Sequence, residues 1–212
     1  MYPGLWEAVA CPSPGRYLAV GDGRLPRWFL SELAAALGRG LHVTWVDAGN
    51  SFDAYGLSYA ARAAGFDPKL VLSRVLVARP FNLFQLETMV CEKLPVLSGS
   101  TSLTTGGVEG LSPSAGYPIV LSDPLALLYD DDVPLEEAAG VFERVRAGMR
   151  ALPALWLTLA VTRQAPKGRE HWLDVLIKEA DSCSFLIPST PLSLRSRERT
   201  PHPDVRVRAV RA

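Results

Sequence analysis

No stretch of the chain approaches the ~20 consecutive apolar residues of a membrane-spanning helix, although 48% of its 212 residues are hydrophobic. Those residues are dispersed for burial, and the length is enough for one well-buried domain. The opening MYPGLWEAVACPSPG has no basic segment ahead of an apolar one, which argues against a secretory leader. Cysteine is scarce. Cys11, Cys91 and Cys183 are odd in number and far apart, fit no zinc spacing, and suggest a reducing, cytoplasmic setting. His42, His171 and His202 are equally scattered and make no ligand pair. No G-x-S-x-G elbow is present, so a serine hydrolase is excluded. Net charge is absent as well, with 22 basic and 22 acidic residues, but its distribution is uneven. From Arg195 onward six arginines face Glu198 and Asp204, so a tail of +4 follows a body of −4. No internal repeat is visible.

A further absence is more specific. Residues 21–28, GDGRLPRW, lie between an apolar run (Tyr17 to Val20) and a helix-like run (Phe29 to Leu37). That is the strand–loop–helix context of a G-x-x-x-x-G-K-[ST] phosphate loop. Gly21 takes the first glycine, but Pro26 falls on the second, Arg27 on the lysine and Trp28 on the hydroxyl residue. Proline has no N–H to offer a phosphate. Tryptophan has no oxygen for a magnesium ion. Arg27 keeps the charge, in a wide planar fork rather than a compact ammonium. Its plainer reading is a solvated first-turn side chain. Trp28 shares its periodicity with Leu25, Phe29 and Leu33, which favours core packing over a partner contact or a plug in the emptied pocket.

What is present alternates. Strands are expected at 16–20, 41–47, 74–78, 119–123, 155–161 and 183–187. Helices are expected at about 27–38, 54–64, 83–93 (stopped before Pro95), 135–152 and 171–180. Residues 98–117 are rich in Ser, Thr and Gly and read as a flexible loop. The alternation Val205 to Val210 suits an edge strand or a disordered tail. Three divisions follow: an N-terminal extension 1–15, a core domain 16–187, and a basic tail 188–212. The fold class is α/β, a three-layer arrangement with a mainly parallel sheet flanked by helices. Ligands in such folds sit at the carboxyl ends of the strands. Gly21 to Trp28, Asp47, Asp123 and Gln164 all fall there. Acids such as Asp47 and Asp123 at strand ends commonly cap the following loop, and no metal site is assigned. The run Asp130-Asp131-Asp132 reads as a solvated turn.

The order of these segments resembles the core ATPase domain of the RecA/RadA recombinase superfamily, a P-loop NTPase fold that includes KaiC-like proteins. GDGRLPRW stands at the Walker A position. VTWVDAGNSF (43–52) is similar to the family strand that ends in an acid and carries a catalytic glutamate. PIVLSDPLALLYDDD (118–132) is similar to the Walker B strand, and LAVTRQAP (159–166) to the strand ending Thr-Asn-Gln. GFDPKLVLSRVLVARPFNLFQLETMV (65–90) has a similar layout between the second and third. The resemblance implies a degenerate nucleotide site at Gly21, Asp22, Gly23, Arg24, Arg27, Asp123 and Gln164. Asp123 would match the Walker B aspartate and Gln164 the γ-phosphate-sensing glutamine. Gly49 stands where the family's glutamate would activate water, and glycine can do no such chemistry.

The resemblance therefore implies a non-catalytic paralogue with no catalytic residues and no cofactor. It would act as a binding or accessory module in DNA recombination, repair or damage tolerance. Its partner would be a protein, such as a catalytic RecA-family or repair protein, in a homo- or hetero-oligomer, with no membrane contact. Single-stranded DNA is the further partner considered, through Lys167 and Arg169 at the family's DNA-loop position. Arg195, Arg197, Arg199, Arg206 and Arg208 in the tail could contact it electrostatically. The alternative is a residual ATP- and magnesium-binding switch with an altered phosphate loop.

Overall fold

A computed structural model describes residues 14–99, 117–187 and 206–211. Seven strands form one sheet: β1 (Gly15–Gly21), β2 (Val43–Asp47), β3 (Val75–Ala78), β4 (Ile119–Ser122), β5 (Leu155–Val161), β6 (Ser182–Ile187) and β7 (Arg206–Arg211). Their order is β3-β2-β4-β5-β1-β6-β7, and every pair is parallel. The central strands are apolar on both faces because helices cover both. Ala19, Trp45, Val120, Leu157 and Leu159 face one layer. Their neighbours Leu18, Val20, Val46, Leu121, Trp156 and Ala160 face the other.

The first layer holds α1 (Leu25–Gly38), α2 (Ala54–Ala63) and α3 (Pro68–Leu72). Phe29 and Phe52 pack on the buried Trp45 from this side. The second layer holds α4 (Leu83–Thr88), a π turn (Met89–Lys93) and α5 (Leu94–Gly99). It continues with α6 (Leu125–Leu128), α7 (Leu135–Ala151) and α8 (Trp172–Glu179). Connections leaving β1 and β2 thus run over one face, and those leaving β3, β4 and β5 over the other. Neighbouring loops diverge at the carboxyl ends of β2 and β4 and of β5 and β1, which opens crevices there.

The three-layer parallel α/β class read from the sequence is what the structure has. Several boundaries differ. The helix expected to stop before Pro95 continues through it. The N–H of Leu94 reaches back to the carbonyl of Met89, five residues earlier, so the helix widens by one π turn before the proline that lacks a donor. α3 went unread, though Asp67 caps it by accepting the N–H of Lys69 at 3.0 Å and Pro68 opens it. β7 pairs with β6 as an edge strand. Residues 1–13 of the N-terminal extension, most of the loop at 98–117, and Arg195, Arg197 and Arg199 lie outside the described residues. Among those described, no helix is long and apolar enough to cross a membrane.

Candidate functional site

The turn from β1 to α1 is only three residues long, Asp22 to Arg24. It folds back on itself and on the first turn of α1. The N–H of Leu25 bonds the carbonyl of Asp22 at 2.9 Å, and that of Trp28 bonds the carbonyl of Arg24 at 2.9 Å. The Asp22 carboxylate accepts the N–H of Arg24 at 2.9 Å and its Nη2 at 2.7 Å. That pairing with Arg24 holds the Asp22 carboxyl below its usual range. A phosphate loop needs the opposite arrangement, with N–H groups converging outward and no acid at their centre. Gly21 has a packing reason to be glycine: an added Cβ would lie 3.2 Å from Leu186 and 3.3 Å from Leu25. Gly23 faces open space.

Arg27 is an exposed rim residue 3.3 Å from Asp53, which itself caps α2 by accepting the N–H of Gly56 at 2.8 Å. Trp28 packs, half-buried, against the α1–α3 core. Deeper in, Asp47 at the end of β2 is fully buried. Its Oδ1 accepts the N–H of Ser51 at 2.7 Å and its Oδ2 the N–H of Phe52 at 3.1 Å. Arg79, just past β3, donates to Oδ2 from Nε at 3.1 Å and from Nη2 at 3.0 Å. Asp47 is therefore the cap of the β2–α2 loop and is saturated.

Asp123 is different. It is 4% exposed, and its backbone has φ +52, a left-handed conformation seldom taken by a non-glycine residue. Its N–H bonds the carbonyl of Leu159 at 2.7 Å. Oδ2 pairs with Arg163, just past β5, while Oδ1 is buried without a hydrogen-bond partner. Burial is the main influence on its proton. Arg163 opposes it, Asp47 reinforces it, and the carboxyl is pushed up to about 6. The N–H groups of Val161 and Ala126 lie close enough to favour the charge without forming a bond of normal geometry to Oδ1. Gly49 packs on this side chain so closely that an added Cβ would lie 2.7 Å from the Cβ of Asp123.

The loop after β5 is pinned to the first turn. Thr162 donates its N–H at 2.7 Å and its hydroxyl at 3.1 Å to the carbonyl of Gly21. Gln164 and Lys167 are exposed on it. Arg169 corrects the expectation of a DNA-facing side chain: it is 3% exposed. It donates to the carbonyls of Leu128 and Asp130, each at 2.7 Å, and of Val133, and it lies over the ring of Trp172. These bonds close the carbonyl end of α6, so the guanidinium is a structural anchor. Arg206 and Arg208 lie on β7.

Four separate segments do converge on one edge, but they bring Asp–Arg pairs together: Asp22 with Arg24, Asp53 with Arg27, Asp47 with Arg79 and Asp123 with Arg163. Arg79 and Arg163 had not been singled out as site residues. The available signal was their position directly after strand ends that face two other acid-ended strands. Among the described residues, no cluster of His, Cys, Asp and Glu is arranged to hold a metal ion. A small cavity under α7 and α8, lined by Arg16, Thr158, Arg146 and Glu179, lies away from this edge, and its Arg146 is paired with Glu179. No protein-family model matches the chain, and no curated protein matches it.

Proposed function

We propose that this chain is a RecA-like module that works by binding a protein partner, without nucleotide chemistry. The observation that carries the reading is the open edge of the sheet at β3. Among the described residues this strand pairs on one side only, with β2. Leu76 and Val77 are successive, so they point to opposite faces, yet they are 50% and 37% exposed. Edge strands of chains that work alone are usually kept very short, as β3 is with four residues, and blunted by charge, proline or a bulge. The sequence of β3, Val-Leu-Val-Ala, has none of the last three within it. Exposed Leu70, Phe81 and Phe84 extend the apolar surface on either side in sequence. The setting in DNA recombination, repair or damage tolerance, and a catalytic RecA-family or repair protein as the partner, come from the sequence resemblance. The Asp–Arg pairs support the absence of nucleotide chemistry, since Arg24, Arg27, Arg79 and Arg163 at this edge each lie against an acid.

Two measurements test this. A photo-crosslinking residue placed at Val77 in cells should give a discrete adduct, absent when the same residue replaces the exposed Glu136 on α7. The adduct should disappear on Leu76→Lys, which leaves the exposed strand's own fold intact. No adduct from position 77 sinks the edge reading. Separately, magnesium-ATP should leave the melting temperature unchanged. A ligand at ~100 times its Kd would add about 2.7 kcal/mol, a shift that cannot be missed, and its presence would restore the nucleotide-switch alternative.

A further inference from the structure

Capping its own loop does not require Asp123 to be buried beside a second carboxylate in left-handed backbone with one oxygen unpaired. Such arrangements persist where a residue has a task besides packing. The loop from β5 to α8 is tied at its start by Thr162 to Gly21 and at its end by Arg169 to three carbonyls. Gly168 is also fixed: its φ is +88, and an added Cβ would lie 2.6 Å from Leu135. Between these ties Arg163 contacts Asp123, and the Glu170 carboxylate accepts the N–H of Gly168 at 2.8 Å, a second pH-sensitive contact that Asp123→Asn leaves in place.

We infer that the Asp123–Arg163 pair is a latch on the β5–α8 loop, which opens when Asp123 takes up a proton and releases the Arg163 guanidinium. The inference is independent of the β3 edge. A neutral carboxyl no longer holds a guanidinium that is 35% exposed and has water within reach. The groups around the latch are accounted for. Asp47 faces Asp123 from β2 with its own Arg79, and the Ser51 and Ser122 hydroxyls bond each other at 2.8 Å. Tyr129, after α6, lies in the field of Arg163, Glu170 and Asp174.

The sign of the linkage gives the latch a signature. Asp123 is raised on folding to about 6, so the folded chain takes up the proton before the unfolded chain does. Between about pH 6 and pH 4, acid therefore stabilises the fold at this site while it loosens the loop. An ordinary ion pair would lose both together. His42 acts in the opposite sense, because burial holds its pKa below the usual range and it charges on unfolding. Comparison with Asp123→Asn removes that contribution.

The test is amide hydrogen exchange in the full chain of Thr162, Gly168 and Arg169, whose N–H groups are hydrogen-bonded in this loop, from pH 7.5 to 4.5, corrected for intrinsic exchange, with urea unfolding of the same samples. In the wild type, protection should fall by about tenfold around a midpoint near 6. In Asp123→Asn and in Arg163→Gln it should be low throughout, with no step near 6. The folded-to-unfolded ratio of the wild type relative to Asp123→Asn should rise by roughly twentyfold from pH 7.5 to 4.5. Protection that stays flat in the wild type, or that falls equally in Asp123→Asn, overturns the latch. So does an Arg163→Gln chain whose loop remains protected at pH 7.5.

Discussion

Replacing Arg169 by alanine should destabilise the chain by about 3–5 kcal/mol, because three carbonyls lose their donor at once. The guanidinium is 3% exposed and serves three carbonyls at the end of α6 and in the turn that leads to α7. Without it, the buried oxygen of Leu128 and the part-buried ones of Asp130 and Val133 lose their donor, a buried one costing about 1–3 kcal/mol. The contact over Trp172 goes as well, and Trp172 is itself stacked on Phe142 at 4.9 Å between ring centres. Lysine should rescue only part of the loss, because one compact ammonium cannot reproduce the planar fork. Urea unfolding of Arg169→Ala and Arg169→Lys measures both. A solvated DNA-contacting arginine would behave otherwise, with a change within about 0.5 kcal/mol. A loss that small would refute the anchoring role.

Arg169 also shows where sequence reading stops. Its position after a strand-ending Thr-Arg-Gln, in a short polar segment with Lys167, gives it the look of a surface charge. Nothing local announces that the carbonyl end of α6, some forty residues earlier, folds back over it. Contacts of that range are set by which helix lies on which face, and the apolar pattern does not specify it at single-residue resolution. By contrast, the strands were legible because burial on both faces forces continuous apolar runs, as in Leu155 to Val161. The long amphipathic α7 was legible because Val141, Phe142, Val145 and Met149 fall on one stripe. Short helices were not: α3 and α6 are too brief for a period to register.

The edge itself was half legible. That Gly21, Asp47, Asp123 and the segment after β5 meet follows from parallel strands alone, since their carboxyl ends share one side of the sheet. What fills that edge did not follow. The acids were visible, and so was the mismatch of residues 21–28 to a phosphate loop, but the arginines that take Asp47 and Asp123 come from the residues after β3 and β5. Pairing Asp47 with Arg79 needs β3 beside β2, and pairing Asp123 with Arg163 needs β5 beside β4. Strand order therefore decides the chemistry, and it becomes known only with the fold. Once known, it gives the missing motif a physical counterpart: cations of the chain's own sit against the acids at this edge.

Placing at Gly49 the glutamate that the sequence resemblance would put there should accordingly damage the fold without producing chemistry. In Gly49→Glu the new Cβ would lie 2.7 Å from both the Cβ and the Oδ2 of Asp123, and no rotamer can relieve the contact between the two Cβ atoms. Neither side can yield easily. The N–H of Gly49 is bonded to the carbonyl of Ser122 at 3.2 Å, and Asp123 is fixed by its own N–H to Leu159 at 2.7 Å. The added carboxylate would also join Asp47 and Asp123 in a region where burial already disfavours charge. A loss of about 2–4 kcal/mol is expected, with Gly49→Ala giving the steric share of about 1–3 kcal/mol. Phosphate release from ATP should stay at background in both. Asp123→Gly combined with Gly49→Ala separates the causes, because it removes the atoms that the new methyl strikes and places glycine at φ +52, where it is at ease. The double variant should recover most of the Gly49→Ala loss, a coupling that only residues in contact show. Purely additive losses, or hydrolysis produced by Gly49→Glu, would mean that Gly49 is not held to glycine by Asp123.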